Sequence, residues 1–256
     1  MEQFEARSLQ ELNPRGCALV VSLTGDTPNQ IAANAAAVRG TADAVEIRAD
    51  LLQNPRQHLE NPSWIDHIRE AAAAPIIATL RTRDHGGNIE LPFMDYAEAL
   101  AEMARYAEWV DIQYDHEMPP PILMGLLEAV AAGGAKRIVS KHHHDNMPSV
   151  VEIDSYLADV EALGVEVAKI AVNPQNLPQV AQLMQVISRH AEHPTETVGI
   201  AMGKVGTPSR ITGHLFGNAA TYAYTAAGDN PVPVAPGQIE ANRLASALDA
   251  IAAAAR

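Results

Sequence analysis

The sequence predicts an α/β fold, and three observations support this prediction. The chain has 256 residues, which is an ordinary length for a single parallel barrel. Short apolar runs rich in β-branched residues recur eight times, and segments with helical periodicity lie between them. Repeated alternation of this kind indicates a parallel sheet, and a closed (β/α)8 barrel is its simplest form. We therefore expect one barrel domain over residues 1–256.

The eight apolar runs are the predicted strands, at 17–25, 44–52, 75–82, 109–115, 136–143, 165–172, 197–203 and 220–226. The predicted helices are the Ala/Leu/Glu-rich segments at 27–40, 96–108, 119–134, 150–164, 177–192 and 237–255. A doubly wound open sheet is the alternative architecture. The glycine-rich phosphate-binding motifs typical of that fold do not follow the first run, which favours the barrel.

Composition limits the classes of partner. The net charge of −13 argues against a nucleic-acid partner or an anionic membrane surface. Cys17 is the one cysteine, so we expect no internal disulfide framework and a reducing compartment. No apolar run reaches membrane-spanning length, and the polar start of the sequence is not typical of a secretory signal. We expect a soluble cytoplasmic protein.

Polar residues share one face near the C-terminal ends of five predicted strands. Period-two alternation groups Glu46 with Arg48 and Asp50, Thr79 with Arg81, Asp111 with Gln113, and Ser140 with His142, while Ser22 ends the first strand. Functional sites of parallel barrels lie at that rim, so we expect a site there. The alternatives are a structural Glu46–Arg48 ion pair, a surface Arg81 and a core histidine at position 142.

The charges on this face predict the chemistry of the ligand. Glu46 provides one negative charge against Arg48 and Arg81, which leaves a surplus of fixed positive charge. The planar guanidinium binds carboxylate or phosphate through paired hydrogen bonds. In a chain this acidic, such a pocket predicts a small anionic substrate.

Lys169 is the residue that predicts a reaction. It lies inside the apolar run 165–172 and faces the same way as Val167 and Ala171. Burial and nearby arginine charge are expected to disfavour its ammonium form, and a neutral amine attacks carbonyl groups to give a Schiff base. His142, one strand earlier, is the candidate for proton transfer. The alternative is a lysine whose amine extends past the strand end into water.

Three consecutive histidines occupy positions 142–144. An H-x-H pair can bind zinc if Asp145 or His85 completes the set, but no supporting metal motif is present. We therefore expect no metal.

Several motifs resemble the type I 3-dehydroquinate dehydratases, the Schiff-base dehydroquinases of the shikimate pathway. They are "EIRADLL", "ATLRT" followed by "GG", "SKH" with Pro148 six residues after His142, "VAKIAV", "MGKVGTPSRITGHLFGNAATYA" and "APGQ". The resemblance covers nearly the whole chain. It implies a (β/α)8 barrel and dehydration of 3-dehydroquinate, a small anionic hydroxy-keto acid, to 3-dehydroshikimate, with no cofactor or metal and with a homodimer as the common assembly.

The same resemblance assigns roles to individual residues. Lys169 is implied to form the imine and His142 to transfer protons. The substrate-binding set comprises Glu46, Arg48, Arg81, Arg210 in the Pro-Ser-Arg turn after the seventh strand, Gln238, Met202 and Ser22. Arg210 is the best candidate for the substrate carboxylate.

The chain also departs from the family pattern. The family usually has Glu at the position of His85, Asp-Phe at His143 and His144, an acidic residue in the fourth strand where Gln113 stands, and Ser at Val234. Without a carboxylate to orient it, His142 is expected to lose basicity, with His144 beside Asp145 as a substitute base. Two alternatives stay open: an enzyme for another hydroxy-keto acid, and a non-catalytic ligand-binding barrel.

Overall fold

A computed structural model describes residues 8–114, 117–227 and 233–254, and its strands form one parallel sheet. The strands are β1 (Ala18–Leu23), β2 (Ala44–Arg48), β3 (Ile76–Thr79), β4 (Trp109–Gln113), β5 (Lys136–His143), β6 (Val167–Val172), β7 (Glu196–Ala201), β8 (Ala220–Tyr224) and β9 (Ile239–Glu240). The helices are α1 (Pro28–Ala37), α2 (Pro55–Leu59), α3 (Trp64–Ala72), α4 (Phe93–Met103), α5 (Pro120–Ala132), α6 (Val150–Ala162), α7 (Leu177–His190), α8 (Gly203–Thr212) and α9 (Ala241–Ala254).

The predicted elements and the observed ones agree in kind and order. Each of the eight predicted strands overlaps one of β1 to β8, and each of the six predicted helices overlaps an observed helix. Four elements were not predicted: α2, α3, α8 and the two-residue β9. The ends of the predicted domain at residues 1–7 and 255–256, and residue 115 of the fourth predicted strand, lie outside the described residues.

The sheet curls into a barrel that closes between β7 and β8. The strand order is β7-β6-β5-β4-β3-β2-β1-β8-β9, so chain order and spatial order agree, as in a (β/α)8 barrel. The backbone N–H of Ala219 donates to the carbonyl of Thr197 at 2.9 Å across the closing seam. The side chain of Asn218 accepts from Gly199 N at 2.7 Å and donates to the carbonyl of Ala220 at 2.8 Å. The closure therefore depends on one side-chain amide in addition to the backbone.

Alternation along each strand separates two apolar regions. In β1, Leu19 and Val21 belong to the layer between the sheet and the helices, whereas Ala18 and Val20 fill the barrel interior. Trp109 is the largest fully buried side chain of that interior. Apolar packing fills the barrel below its C-terminal rim, so the polar side chains lie above it, next to the loops.

No helix in the described parts of the chain is long and apolar enough to cross a membrane.

Candidate active site

A cavity of about 230 Å³ opens at the C-terminal rim of the barrel. Every residue assigned to the site from sequence lies on its wall: Ser22, Glu46, Arg48, Arg81, His142, Lys169, Met202, Arg210 and Gln238. The structure thus brings these side chains together in one cavity, and their roles stay a prediction. Several of their partners differ from those expected.

Lys169 points into the cavity from the middle of β6 and is only 3% exposed. Its Nζ donates to Oδ2 of Asp111 at 2.8 Å and lies 3.6 Å from Oε1 of Glu46 and 4.2 Å from the ring centroid of Tyr222. Burial opposes the ammonium form, but the charge of Asp111, with Tyr222 and Glu46, outweighs burial and raises the pKa of Lys169 above its ordinary value. The expectation of a neutral resting amine is therefore wrong, because two carboxylates neighbour the nitrogen.

Asp111 of β4 is the centre of the polar network. It is fully buried and accepts hydrogen bonds from Lys169, from Nη2 of Arg81 at 2.8 Å and from the hydroxyl of Ser140. Burial alone would raise the pKa of Asp111, but the charges of Arg81 and Lys169 hold it well below the usual range.

The fourth strand therefore keeps an acidic residue in the site. The family pattern places this acidic residue at position 113, where this chain has Gln113. The Oε1 atom of Gln113 accepts hydrogen bonds from the backbone N–H and the hydroxyl of Thr82. Asp111, two residues earlier, fills that role. Strand alternation placed Asp111 on the polar face, but the sequence analysis did not assign it to the site, so Asp111 is a site residue that was missed although its position on that face was visible.

Glu46 and Arg48 do not pair with each other. Glu46 accepts from the hydroxyl of Ser22 at 2.6 Å and from that of Thr79 at 3.1 Å. Arg48 instead makes a two-pronged ion pair with Asp50, at 2.8 and 2.7 Å. The structural ion pair considered for positions 46 and 48 is therefore wrong. The two residues lie on one face, but in different layers of the barrel.

The surplus positive charge lies on Arg210, which the resemblance assigned to the substrate carboxylate, and not on Arg48 or Arg81, from which the surplus was argued. Three carboxylates and four cations make up the network, namely Glu46, Asp50 and Asp111 against Arg48, Arg81, Lys169 and Arg210. Arg48, Arg81 and Lys169 each have a carboxylate partner. Within the described residues, no acidic group pairs with Arg210, so this guanidinium carries the free charge.

Arg210 is built into the cavity wall by α8, not by the turn expected from the Pro-Ser-Arg sequence. It is 3% exposed, and its Nη1 and Nη2 donate to the carbonyls of Tyr222 and Pro236, each at 3.2 Å. Burial lowers the pKa of Arg210 to about 10, which still leaves it charged at neutral pH. Its Nε has no hydrogen-bond partner among the described groups. A buried guanidinium with unused donor capacity favours an anionic ligand.

Gln238 supports the loop that covers this arginine. Its Oε1 accepts from the backbone N–H groups of Val234 at 2.8 Å and Ala235 at 3.2 Å, and the next carbonyl, of Pro236, binds Arg210. Val234 thus contributes a backbone donor to the loop, although its side chain cannot donate. Met202, which is 4% exposed, adds an apolar part to the wall.

His142 of β5 faces the cavity as an uncharged imidazole. Burial, together with the positive charges of Arg81 and Lys169, holds the pKa of His142 well below its ordinary value, although Asp111 opposes this effect. The Nδ1 atom has no hydrogen-bond partner in the described chain. A neutral imidazole at this position can accept a proton.

The neighbouring histidine takes a structural position. The rings of His142 and His144 are stacked with centroids 5.9 Å apart, and Nε2 of His144 lies 3.1 Å from the carbonyl of His85. His144 is therefore tied to the loop after β3, stacks on His142 and lines the same cavity. In the described residues, no cluster of three or more His, Cys, Asp or Glu side chains is arranged to hold a metal ion.

Comparison with known proteins agrees with this geometry. The family model for type I 3-dehydroquinase matches residues 19–255. The 3-dehydroquinate dehydratase of Klebsiella pneumoniae is 31% identical over 239 residues, covering 90% of this chain and 92% of that protein. The protein of the same name from Listeria welshimeri is 31% identical over 213 residues, covering 81% of each chain.

Solved structures match the fold. The 3-dehydroquinate dehydratase of Geobacillus kaustophilus superposes with a TM-score of 0.84 at 23% identity, covering 94% of this chain and 93% of that one. The type I enzyme of Clostridium difficile gives 0.82 at 23% identity, with 93% of each chain covered. The chain therefore belongs to the type I 3-dehydroquinase family.

Proposed function

We propose that this protein is a hydro-lyase that dehydrates 3-dehydroquinate to 3-dehydroshikimate through a Schiff base on Lys169. Its curated relatives carry the name of that activity. The observation that carries the proposal is the pairing in one cavity of a buried lysine, held by Asp111, with a buried arginine that lacks an acidic partner. The lysine can form an imine with a ketone and the arginine can bind a carboxylate, and 3-dehydroquinate has both groups.

Imine formation begins with the resting ammonium. Arg210 binds the substrate carboxylate, which brings the C3 ketone to Lys169. The ammonium passes a proton to neutral His142, and the free amine adds to the carbonyl carbon. The carbinolamine hydroxyl then takes the proton back from His142 and leaves as water. The product is a protonated imine beside Asp111, and His142 is neutral again.

Dehydration uses the same histidine twice. His142 removes a C2 proton, and the protonated imine accepts the electron pair. The electrons return to expel the C1 hydroxyl, to which His142 gives the proton. Hydrolysis of the imine releases 3-dehydroshikimate and restores Lys169. The net change is the loss of one water from C1 and C2, with no cofactor.

The other wall residues are proposed to hold the substrate. Glu46, whose two oxygens already accept from Ser22 and Thr79, is suited to receive a hydrogen bond from a substrate hydroxyl. Arg48 and Gln238 line the cavity and supply donors, while Met202 provides apolar contact. Arg81 acts through Asp111, because its guanidinium is occupied by Asp111 and Ser140.

A cytoplasmic location and a homodimer are part of the proposal. The location follows from a biosynthetic activity and from the single buried cysteine, since burial raises the pKa of the Cys17 thiol to about 12 and keeps it unreactive. The dimer follows from the family resemblance.

The test is borohydride reduction of the purified protein with 3-dehydroquinate, followed by intact mass and peptide mapping. We expect a covalent adduct on Lys169 together with formation of 3-dehydroshikimate. Lys169→Met should abolish both. Lys136→Met is the matched control, because Lys136 starts β5 at the opposite end of the barrel, and it should leave both unchanged.

Other outcomes identify the alternatives. An adduct without product would favour a related enzyme for another hydroxy-keto acid. One observation supports that candidate: Nδ1 of His142 lacks the partner that would fix its tautomer. Absence of any adduct would indicate a non-catalytic binding barrel.

A further inference from the structure

Tyr222 is a polar side chain of the cavity with no role in the scheme above. Six buried side-chain nitrogen or oxygen atoms of the described residues lack a hydrogen-bond partner, and three of them belong to the cavity wall. They are Nδ1 of His142, Nε of Arg210 and the hydroxyl of Tyr222. The first two belong to residues with assigned tasks. The third is unexplained.

The position of Tyr222 relates it directly to the reactive amine. Tyr222 lies in β8 and is 3% exposed, and Nζ of Lys169 lies over its ring, 4.2 Å from the centroid. The backbone carbonyl of Tyr222 accepts from Arg210, so the residue is also anchored to the carboxylate-binding side of the cavity. The ring thus keeps the Tyr222 hydroxyl on the same side of the cavity as the reactive amine.

The Lys169 ammonium interacts with the phenol oxygen but can only donate, so the phenol hydrogen has no acceptor, and burying an unused donor is costly. A phenylalanine would keep the ring contact with the ammonium and avoid this cost. The presence of tyrosine therefore indicates a partner that arrives with the substrate.

We propose that the Tyr222 hydroxyl is a further catalytic residue, which donates a hydrogen bond to the oxygen of the tetrahedral carbinolamine formed on Lys169. This inference rests on the proposed imine chemistry. As the N–C bond forms, the carbonyl π bond breaks and its electron pair goes to oxygen. The phenol donates to that oxygen while negative charge develops on it. The oxygen then acquires a proton from the nitrogen and, after protonation by His142, leaves as water.

The electrostatics of the site keep this donor available. Burial raises the pKa of Tyr222 above its ordinary value, against the opposing charge of Lys169, so the phenol stays protonated throughout the neutral range. Tyr222 therefore stabilises charge without itself losing a proton. The same donor serves the reverse addition of water when the product imine is hydrolysed.

The experiment compares Tyr222→Phe with the wild type in single-turnover borohydride trapping, using 3-dehydroquinate and rapid quench. The expected result is about a 100-fold slower appearance of the Lys169 adduct. The dissociation constant for the product should change less than threefold, and the melting temperature should be unchanged or higher. Tyr224→Phe, two residues along the same strand and outside the cavity wall, is the matched control and should match the wild type.

Four results would overturn the inference. A Tyr222→Phe trapping rate within twofold of the wild type would show that the hydroxyl does not act on the carbinolamine. If Tyr222→Phe weakens product binding by the same factor as it slows adduct formation, Tyr222 only shapes the pocket. A lower melting temperature of the variant together with weaker product binding would lead to the same conclusion. A wild type that forms no adduct would refute the imine proposal itself, and that outcome is distinguishable because it precedes any comparison of variants.

Discussion

Replacing Asp111 with asparagine tests whether one carboxylate holds the site together. Asp111→Asn keeps the size of the side chain and removes a fully buried negative charge. Arg81 and Lys169, each 2.8 Å from a carboxylate oxygen, then lose their shared partner. Lys169 keeps Glu46 at 3.6 Å and can release its proton, but Arg81 cannot.

The size of the effect follows from these distances. At 2.8 Å and an effective dielectric constant of 20, each ion pair contributes about 6 kcal/mol of Coulomb attraction. Desolvation of the buried ions offsets most of this attraction, so the measured cost of removing one partner is about 3–5 kcal/mol. We expect Asp111→Asn to lower the free energy of unfolding by that amount at pH 7 and to lower the pKa of Lys169.

Urea denaturation followed by circular dichroism measures the change in free energy of unfolding. Asp154→Asn is the matched control, since Asp154 is 44% exposed, pairs with Arg189 on the surface and should cost no more than about 1 kcal/mol. The double variant Asp111→Asn with Lys169→Met should be less destabilised than the sum of its single variants, because removing the lysine relieves an unpaired charge. A cost below about 1 kcal/mol for Asp111→Asn, or strict additivity in the double variant, would refute the reasoning.

Three other predictions concern the histidine, the glycines and the barrel seam. Because burial and the charges of Arg81 and Lys169 lower the pKa of His142, the acidic limb of kcat/KM against pH should lie below the ordinary histidine pKa of about 6.5, and a limb at 6.5 or higher would contradict the neutral imidazole. Gly87→Ala should destabilise the fold by about 1–3 kcal/mol in urea titrations, because a Cβ there would lie 1.9 Å from the Arg81 carbonyl oxygen. Gly125→Ala, in open space on α5, should instead add about 0.5–1 kcal/mol, and equal effects of the two changes would count against the packing argument. Asn218→Ala should cost about 2–4 kcal/mol, because it leaves Gly199 N and the carbonyl of Ala220 unpaired at the seam, and a loss under 1 kcal/mol would mean that the backbone alone closes the barrel.

The strands were predictable from sequence because buried parallel strands are continuous apolar runs with turn residues at their ends. Two of the elements that were missed, α2 and α8, lack a clear sequence signal. α2 has five residues, too few for helical periodicity to be visible. α8 contains Gly203, Gly206 and Pro208, which individually argue against a helix. Tertiary packing supports it instead, since a Cβ at Gly206 would lie 2.2 Å from the carbonyl oxygen of Ala201.

Much of the cavity lining was also predictable, whereas Tyr222 and the pairings of the charged groups were not. Period-two alternation determines which face of a strand a residue occupies, and that was enough to place Glu46, Arg48 and Asp111 together. It does not determine the level at which each side chain lies, because neighbouring barrel strands are staggered. Ser22 lies opposite Glu46 in the register, and Arg48 lies opposite Thr79, one layer higher. Arg48 therefore forms an ion pair with Asp50, and Glu46 lies next to the ammonium of Lys169.

The charged resting state of Lys169 follows from what the site must stabilise later. An ammonium is a poor nucleophile, so Asp111 and Glu46, which raise the pKa of Lys169, act against the first step. The protonated imine carries its positive charge on the same nitrogen, at the same 2.8 Å from Asp111 if that nitrogen does not move. Carboxylates fixed there stabilise the protonated imine without reorganisation. In the proposed mechanism, neutral His142 removes the ammonium proton that prevents Lys169 from attacking the ketone. In the same proposed mechanism, the substrate carboxylate binds Arg210 and balances the four cations with four anionic groups. The network is thus organised around a cation at one nitrogen in both the resting and the covalent state, which is why a lysine buried among carboxylates still fits an enzyme that forms Schiff bases.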